Sequence, residues 1–375
     1  MRNWFRIAIV FLLWIVHLFT GTGLDTVYHV TQYTRWAVLA VSAATLLAKT
    51  AQARKLPVER KRFLIFGGMV VLFFASSIIH SVGGQPVHYL WVFLLVYLLS
   101  QLSFTEKDFF WIGLSYGTAG FVVLLLFSQS RVFSGWNENS IAMISVFSFL
   151  VLLIPLYKER SRWSKVRIVV LTVLFAVFVN PTNSRASILF LAVGVIFALG
   201  FVKRTLIIKQ GKRLTFYLMI PLLVATITII ISRSGVMTSL DAWSLLRFGK
   251  PFFNGRDELW TNGLELFLRH FFIGTGNLTV TNWHNSAISV LVAYGVLGFI
   301  LWLASIHDIL SRAYPFMTDY IVQGCFIGFI IIYFQQSLEL GLVSSSPSLI
   351  PYVMLGLMLG RIRYLKSRNE GHDEA

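Results

Sequence analysis

The amino-acid sequence predicts an all-α protein, a polytopic transmembrane helical bundle of about twelve helices. Of its 375 residues, 56% are hydrophobic and only 13% are charged, whereas a soluble domain carries about 25% charged residues. Most of the apolar residues fall in blocks of roughly 16 to 21 residues, close to the length that a helix needs to cross the bilayer core, and the second, fourth and seventh blocks are shorter. Short polar stretches separate the blocks, except for one loop of about fifty residues.

Twelve apolar segments qualify as candidate membrane spans. They are approximately 4–20, 35–48, 63–80, 88–102, 109–128, 140–157, 166–180, 185–202, 214–232, 285–305, 318–338 and 343–360. Each is predicted to be a helix, because backbone groups inside lipid must be hydrogen-bonded within their own segment. The first segment lacks a convincing small-residue cleavage site, so we interpret it as a retained helix rather than a signal peptide. The whole chain, 1–375, is predicted to be a single integral membrane domain.

The basic residues predict the orientation. If the N-terminus is cytoplasmic, 24 of the 32 Lys and Arg residues fall in cytoplasmic segments, alternating loop by loop. Both termini are then cytoplasmic. The net charge of +16 therefore reflects the excess of Lys and Arg in the predicted cytoplasmic segments, where they also attract anionic membrane lipids. It does not indicate a surface that binds nucleic acid.

The long loop, 233–284, falls on the extracytoplasmic side in this topology and is too rich in aromatic residues to be disordered. Within it, Asn254 or Gly255 is a candidate cap for a helix from about Arg256 to His270. Asp257 lies in its first turn, where a negative charge complements the helix dipole. Apolar residues recur at helical spacing, which predicts an amphipathic helix lying on or near the outer membrane surface.

Basic residues are scarce on the predicted outer side, so those found there are candidates for function. Arg185 opens the eighth span: either it reaches out to lipid phosphates, or its guanidinium binds a phosphate or pyrophosphate. Arg256 begins the loop helix, where free N–H groups favour an anion; the alternative is a local pair with Asp257 or Glu258. Arg269, near the end of the same helix, is a further candidate contact to substrate.

Three more residues on this side are candidates. His284 precedes the tenth span; a lone histidine at a membrane interface is more often structural, but a neutral imidazole accepts a proton from a sugar hydroxyl near pH 7. Arg131 lies between the fifth and sixth spans and is either a solvated loop charge or a substrate contact. Trp136 is either a platform for a sugar ring or an interfacial aromatic residue.

Several function classes find no support in the sequence. It contains no Walker loop, which argues against ATP as an energy source. No outward Asp-x-Asp or histidine-rich cluster is present, so neither a metal nor another cofactor is predicted. The single cysteine, Cys325, excludes an intramolecular disulfide. Carboxylates inside the spans are scarce, with Glu339 at the outer end of the eleventh span as an exception, and this weakens the case for an ion-coupled transporter.

Taken in order, short motifs resemble those of the O-antigen ligase and polymerase superfamily. His284-Asn285, nine residues and then Gly295-Val296-Leu297-Gly298 are similar to a His-Asn/Ser/Gln-x9-Gly-x-x-Gly signature of that family. Three further segments also resemble motifs of this family. The first runs from Asn254-Gly255-Arg256 through Trp260 to Gly274-Thr275-Gly276 and is similar to a Gly-Arg…Trp…Gly-x-Gly run. The second is Thr182-Asn183-Ser184-Arg185-Ala186, similar to a Ser-Arg-Gly/Ala stretch, and the third is Gly135-Trp136-Asn137-Glu138-Asn139, similar to a Gly-x-x-Asn-x-Asn segment. The last segment lacks the usual Pro-Asn ending. The resemblance covers roughly residues 131–300.

The resemblance implies a metal-independent, inverting glycosyl transfer from an undecaprenyl-pyrophosphate-linked oligosaccharide at the outer leaflet of the bacterial cytoplasmic (inner) membrane. It implies that Arg185 and Arg256 hold the pyrophosphate leaving group and that His284 activates or orients the acceptor hydroxyl. Asn285, Arg131, Trp136 and Arg269 are then expected to contact substrate. A flippase and a chain-length regulator are expected partners; nucleic acid is not.

Three functions remain open from the sequence. The first is a polymerase that joins repeat units into capsule, exopolysaccharide or O-antigen. The second is a ligase of the same fold, which moves a finished glycan to another acceptor. The third is a lipid-linked oligosaccharide flippase or another transporter without catalysis. A transporter is expected to carry polar residues deep in several spans and an internal repeat, and neither is visible, which argues against the third function. The polymerase is preferred to the ligase because no feature of the sequence demands a lipid A core acceptor.

Overall fold

The computed structural model describes residues 30–53, 60–82, 87–128, 138–157, 161–182, 184–201, 213–234, 236–278, 281–339, 342–343 and 349–373. In these residues the structure is helical, without a β-strand, as the sequence predicts. The α-helices are α1 (Val30–Ala53), α2 (Arg60–Ile79), α3 (Val87–Ser100), α4 (Glu106–Ser128), α5 (Glu138–Leu153), α6 (Arg162–Val179), α7 (Arg185–Ala198), α8 (Leu214–Ser232), α9 (Val236–Phe248), α10 (Arg256–Arg269), α11 (Ser286–Ser311), α12 (Tyr320–Gln335) and α13 (Leu349–Asp373).

Helices occupy the second to twelfth predicted spans, while the first, 4–20, lies outside the described residues. Within the described part of the chain, five helices are long and apolar enough to cross a membrane: α2, α4, α6, α8 and α11. Four shorter ones, in α3, α5, α7 and α12, are also apolar. The protein is therefore a multi-pass membrane protein, and a total of about twelve crossings remains a prediction.

The last helix is longer than its predicted span, which ended at residue 360. Helix α13 continues to Asp373 through Arg361, Arg363, Lys366 and Arg368. Charged residues end an apolar span, but Arg and Lys have high helix propensity, so the helix continues beyond the apolar segment.

Helices α11 and α12 form the centre of the bundle. Helix α12 contacts α5, α7 and α13, and every side chain from Ile321 to Phe329 is buried. Helix α11 packs along α2 and α8 and receives α10 from the long loop. By contrast, α6 exposes Val170, Val173 and Val177, as expected of a helix that presents one side to lipid.

The long loop contains two helices rather than the single one predicted. Helix α10 matches the predicted helix from about Arg256 to His270, whereas α9 was not predicted. The apolar residues of α9 are distributed around the helix rather than along one face, so its sequence gives little periodic signal. Helix α10 buries Trp260 against α8 and α11, while Leu268 and Phe272 near its C-terminal end are exposed.

Charged residues from different helices meet at one end of the bundle. Arg361, 3% exposed, pairs with Asp319 at 2.7 Å between Nη2 and Oδ2. At the start of α2, Arg62 Nε lies 3.4 Å from Asp308 Oδ2, and Asp308 also bonds Arg312. The topology predicts that these residues are cytoplasmic, so the structure joins groups expected on the same side of the membrane.

Candidate active site

At the opposite end of α12, three chain segments bring Arg256, His284 and Glu339 into one cluster. Arg256 begins α10, His284 lies just before α11, and Glu339 follows the C-terminal end of α12. Glu339 is only 7% exposed. One of its carboxylate oxygens binds the arginine and the other binds the histidine, so a single buried acid connects both sequence-predicted groups.

The backbone before α10 fixes the position of Arg256. Asn254 and Gly255 both have left-handed conformations, with φ of 54° and 76°. These turn the chain into the helix, and Arg256 Nη2 then reaches Glu339 Oε1 at 2.7 Å. The partner of Arg256 is thus a distant carboxylate, rather than the local Asp257 or Glu258 that the sequence left as an alternative.

His284 is oriented by two hydrogen bonds. Its Nδ1 lies 3.2 Å from Glu339 Oε2, and its backbone N–H donates to Asn282 Oδ1 at 3.0 Å. An ionised Glu339 only accepts, so this contact places a hydrogen on His284 Nδ1, and in the neutral imidazole the Nε2 lone pair is then the one that can accept a proton. The side chain is 32% exposed. His284 also has a φ of 48°, a conformation rare for a non-glycine residue and often found at functional sites.

Trp260 connects α10 to the segment that carries the histidine. Its indole Nε1 donates to the backbone carbonyl of Trp283 at 2.7 Å, and both rings are buried. One turn further along, a Cβ on Gly263 would lie 2.9 Å from the Trp283 ring, so only glycine allows this close approach. The tryptophan of the sequence motif therefore positions the residue that precedes His284.

Asn285 is completely buried and forms four hydrogen bonds to backbone groups. Its Oδ1 accepts from the N–H groups of Ala287 and Ile288, which caps α11. Its Nδ2 donates to the carbonyl of Pro221 at 2.8 Å and to that of Ser337 at 3.1 Å. The amide thus joins α8, α11 and the segment after α12, which favours a positioning role over direct contact with substrate.

The glycine motifs meet in a junction between the loop and α11. Helix α11 is broken at Gly295, where φ is 66° and ψ is −171°. In this break, Val296 N–H donates to the Phe271 carbonyl and Gly276 N–H donates to the Ala293 carbonyl, both at 2.8 Å. Backbone groups freed by the break are thereby satisfied by the loop, as buried backbone in a membrane protein requires.

Helix α2 supports the same junction from the other side. Ser76 Oγ donates to the Ile273 carbonyl at 2.6 Å, and Ser77 Oγ donates to the Gly276 carbonyl at 3.0 Å. Beside them, the Phe73 ring stacks on Tyr294 with centroids 3.7 Å apart. The segment that leads to His284 is therefore anchored by α2 as well as by α11.

The other sequence-predicted residues lie at different places. Arg185 donates from Nη1 to Ser244 Oγ at 3.0 Å and from Nη2 to the Pro251 carbonyl at 3.4 Å, which ties α7 to the long loop. Arg269 is exposed at the far end of α10, about 20 Å from Arg256 by helical rise. Its substrate contact remains a prediction, and Arg131 and Trp136 lie outside the described residues.

The cluster has the composition of an acid–base site. A carboxylate that holds one imidazole nitrogen orients the ring and stabilises the imidazolium formed when the other nitrogen takes a proton. The adjacent guanidinium supplies fixed positive charge for an anion. Among the described residues, no three His, Cys, Asp or Glu side chains come together as metal ligands.

A lateral apolar cavity of about 710 Å³ lies between α8, α10 and α11. Leu264 and Phe267 of α10 line one part of it, and Leu291 to His307 of α11 line another, a stretch of about 24 Å by helical rise. Helix α10 thus carries Arg256 at its N-terminus and, further along, two of the side chains that line this cavity.

Comparison with known protein families gives an independent result. Residues 168–303 match a family model described as O-antigen ligase. This match supports the O-antigen polymerase and ligase superfamily that the sequence motifs resemble. The matched segment includes Arg185, Arg256 and His284, and the family as a whole suggests an enzyme of the glycosyl-transfer type. No curated protein matches the sequence.

Glu339 is the site residue that sequence analysis missed. It lies outside the segment that matches the family, 83 residues after Arg256 and 55 after His284. The available signal was a carboxylate at the end of an otherwise apolar span, a placement that is rare and usually functional. From the sequence alone, Glu339 is noted only as an exception to the scarcity of carboxylates that argues against an ion-coupled transporter.

Proposed function

We propose that the protein is a bacterial surface-polysaccharide polymerase that joins oligosaccharide repeat units carried on undecaprenyl pyrophosphate. The proposal rests mainly on one observation, the buried Glu339 carboxylate shared between Arg256 and His284. This arrangement offers a base and a cationic group within one cluster, as transfer from a pyrophosphate-linked sugar requires. A flippase that delivers the donor and a regulator of chain length are further expected partners.

In the proposed reaction, a hydroxyl of the acceptor sugar attacks the anomeric carbon of the donor sugar with inversion. His284 Nε2 takes the proton of that hydroxyl, and Glu339 stabilises the resulting imidazolium through Nδ1. The bond between the anomeric carbon and the pyrophosphate oxygen breaks, and the electron pair leaves with the pyrophosphate. Arg256 stabilises the negative charge that develops on this leaving group. The same role for Arg185, which lies apart from the cluster, remains a prediction from the family resemblance.

The lateral cavity supports a lipid-linked donor. Most of its lining residues are apolar, and it borders helices predicted to span the membrane. Lipid tails are as apolar as leucine, so such a cavity adds little hydrophobic driving force and mainly selects the shape of the chain. The affinity for donor is then expected to come from the charged group at the head of the lipid.

A ligase is the second candidate function, because the matching family model is described as O-antigen ligase. The two activities differ in the acceptor. Purified protein supplied only with its lipid-linked repeat unit will make a ladder of lengths if it is a polymerase. Transfer that occurs only after a second acceptor is added would identify a ligase.

The catalytic assignment is tested by His284→Ala and Arg256→Ala. Loss of the base is expected to lower turnover by about 100-fold or more, and loss of the arginine by about 100- to 1,000-fold. His270→Ala and Arg233→Ala, which alter exposed residues of the same two types, are matched controls and should retain activity. Wild-type glycan length from both site variants, at normal protein level, would disprove the assignment.

A further inference from the structure

Glu339 has two basic partners and little access to water. Its carboxylate is 2.7 Å from Arg256 and 3.2 Å from His284, and the residue is 7% exposed. A buried carboxylate is costly unless a positive group compensates it, and here the arginine is the permanently charged partner. In the structure, therefore, the guanidinium proposed to bind the donor is already neutralised by an internal anion.

We propose that Glu339 is a resident counter-ion of Arg256 that the pyrophosphate of the donor replaces during the reaction cycle. This inference rests on the proposed function, which assigns pyrophosphate to Arg256. Glu339 then weakens donor binding while it holds His284 for proton transfer. Its two effects are opposite in sign, which distinguishes this role from a purely structural one.

The hydrogen bonds of Arg256 permit such an exchange. Among the described residues, Arg256 forms a side-chain hydrogen bond only from Nη2, to Glu339. A guanidinium has five N–H donors, so further donors can bind an incoming anion. The side chain is 19% exposed, so it is accessible from outside. An arriving pyrophosphate is nevertheless repelled by the Glu339 carboxylate, and both anions compete for the same positive charge.

The exchange also links donor binding to proton transfer. When the pyrophosphate engages Arg256, Glu339 is left with His284 as its main partner. A buried carboxylate with a single partner is best compensated when that partner carries a positive charge. Donor binding therefore increases the stabilisation that Glu339 gives to the imidazolium as it forms, when the neutral His284 ring removes the acceptor proton.

The test is Glu339→Gln, which preserves shape and hydrogen bonding but removes the charge. Binding of sugar-free undecaprenyl pyrophosphate to purified protein in lipid nanodiscs is measured together with the kinetics of glycan transfer. We expect the variant to bind the lipid about tenfold more tightly, equivalent to about 1.4 kcal/mol. We also expect kcat to fall by about 100-fold, because His284 loses the group that stabilises its charge.

Two further variants control this result. In an Arg256→Gln background, Glu339→Gln should tighten binding much less, because the competition for the Arg256 charge is gone and only the direct repulsion between Glu339 and the pyrophosphate is relieved. His284→Gln should weaken lipid binding severalfold, because Glu339 then depends wholly on Arg256; this variant remains informative if Glu339→Gln does not fold. Unchanged or weaker lipid binding by folded Glu339→Gln, or tighter binding by His284→Gln, would overturn the proposal.

The binding measurement requires no turnover, so it separates this inference from the proposed function. If wild-type protein transfers no glycan yet Glu339→Gln binds the lipid more tightly, the polymerase assignment fails and the counter-ion role holds. If transfer occurs but Glu339→Gln leaves binding unchanged, the polymerase assignment holds and the counter-ion role fails.

Discussion

At the scale of single residues, His284 and Asn285 are adjacent in the sequence and have different tasks. The histidine is partly exposed and presents a free ring nitrogen beside Glu339. The asparagine points into the protein and binds four backbone groups. A His-Asn pair at the start of a helix thus combines a reactive group with the cap that fixes its position.

The role of Asn285 can be tested by Asn285→Ala. The variant loses the cap of α11, worth about 0.5–2 kcal/mol, and the two hydrogen bonds that Asn285 donates to the Pro221 and Ser337 carbonyls, worth about 0.5–1.5 kcal/mol each. We expect a total loss of about 1.5–5 kcal/mol of stability, seen as a lower midpoint of thermal unfolding of the purified protein, and a parallel loss of activity.

Two substitutions calibrate that result. Asn285→Ser keeps an oxygen that can cap the helix and should fall between wild type and Asn285→Ala. Asn262→Ala removes an exposed asparagine of α10 and should have little effect on stability. Equal stability of Asn285→Ala and Asn262→Ala would show that the buried amide is not a structural anchor.

At the scale of elements, the two glycine motifs form one backbone junction. Gly274 and Gly276 belong to the loop, and Gly295 belongs to α11. A Cβ on Gly274 would lie 2.3 Å from the backbone of Ala293, and a Cβ on Gly295 would lie 2.3 Å from that of Phe272. The two glycine motifs, about twenty residues apart in the sequence, therefore lie in direct contact in the structure. This contact holds the segment that leads to His284 in position.

Gly295→Ala tests this junction. Alanine there must adopt a φ of 66° and also displace the Phe272 backbone. Strain of this kind costs about 1–3 kcal/mol before the clash is included, so we expect a low yield of folded protein by size-exclusion chromatography. Gly67→Ala, in a helix where an added Cβ has no neighbour within 4 Å, is the matched control. A normal yield of folded Gly295→Ala would contradict the interpretation.

At the scale of the whole molecule, α12 separates two charged clusters. Asp319, at its N-terminus, pairs with Arg361, and Glu339, beyond its C-terminus, pairs with Arg256. The helix itself is about 24 Å long, comparable to the hydrocarbon core of a bilayer. The sequence topology predicts that the two clusters lie at opposite membrane surfaces, with the Glu339 side extracytoplasmic.

Cysteine labelling tests this orientation. The natural Cys325 is buried, so a membrane-impermeant maleimide should label the wild-type protein weakly. Thr238→Cys, at an exposed position of α9, should label from outside intact cells, and Ser367→Cys, exposed on α13, only after the membrane is opened. The opposite pattern would invert the topology and place the candidate active site in the cytoplasm.

The sequence by itself determined the features that depend on local composition. Apolar block length predicted the helices, and α10 begins at the predicted Arg256 because a turn of Asn254 and Gly255 precedes an amphipathic pattern. The motif residues were found for the same reason, since each motif is a short run along the chain. The spacing of charges predicted which residues share a membrane face, but not which of them touch.

Tertiary structure alone decided the contacts that make the site. Arg256 and Glu339 are 83 residues apart, and His284 and Glu339 are 55 apart. Their meeting depends on how α10, α11 and α12 pack around the broken helix at Gly295 and the amide of Asn285. Neither hydropathy nor motif spacing encodes that packing, because a side chain's position along the chain fixes its depth in the membrane but not its neighbours on other helices.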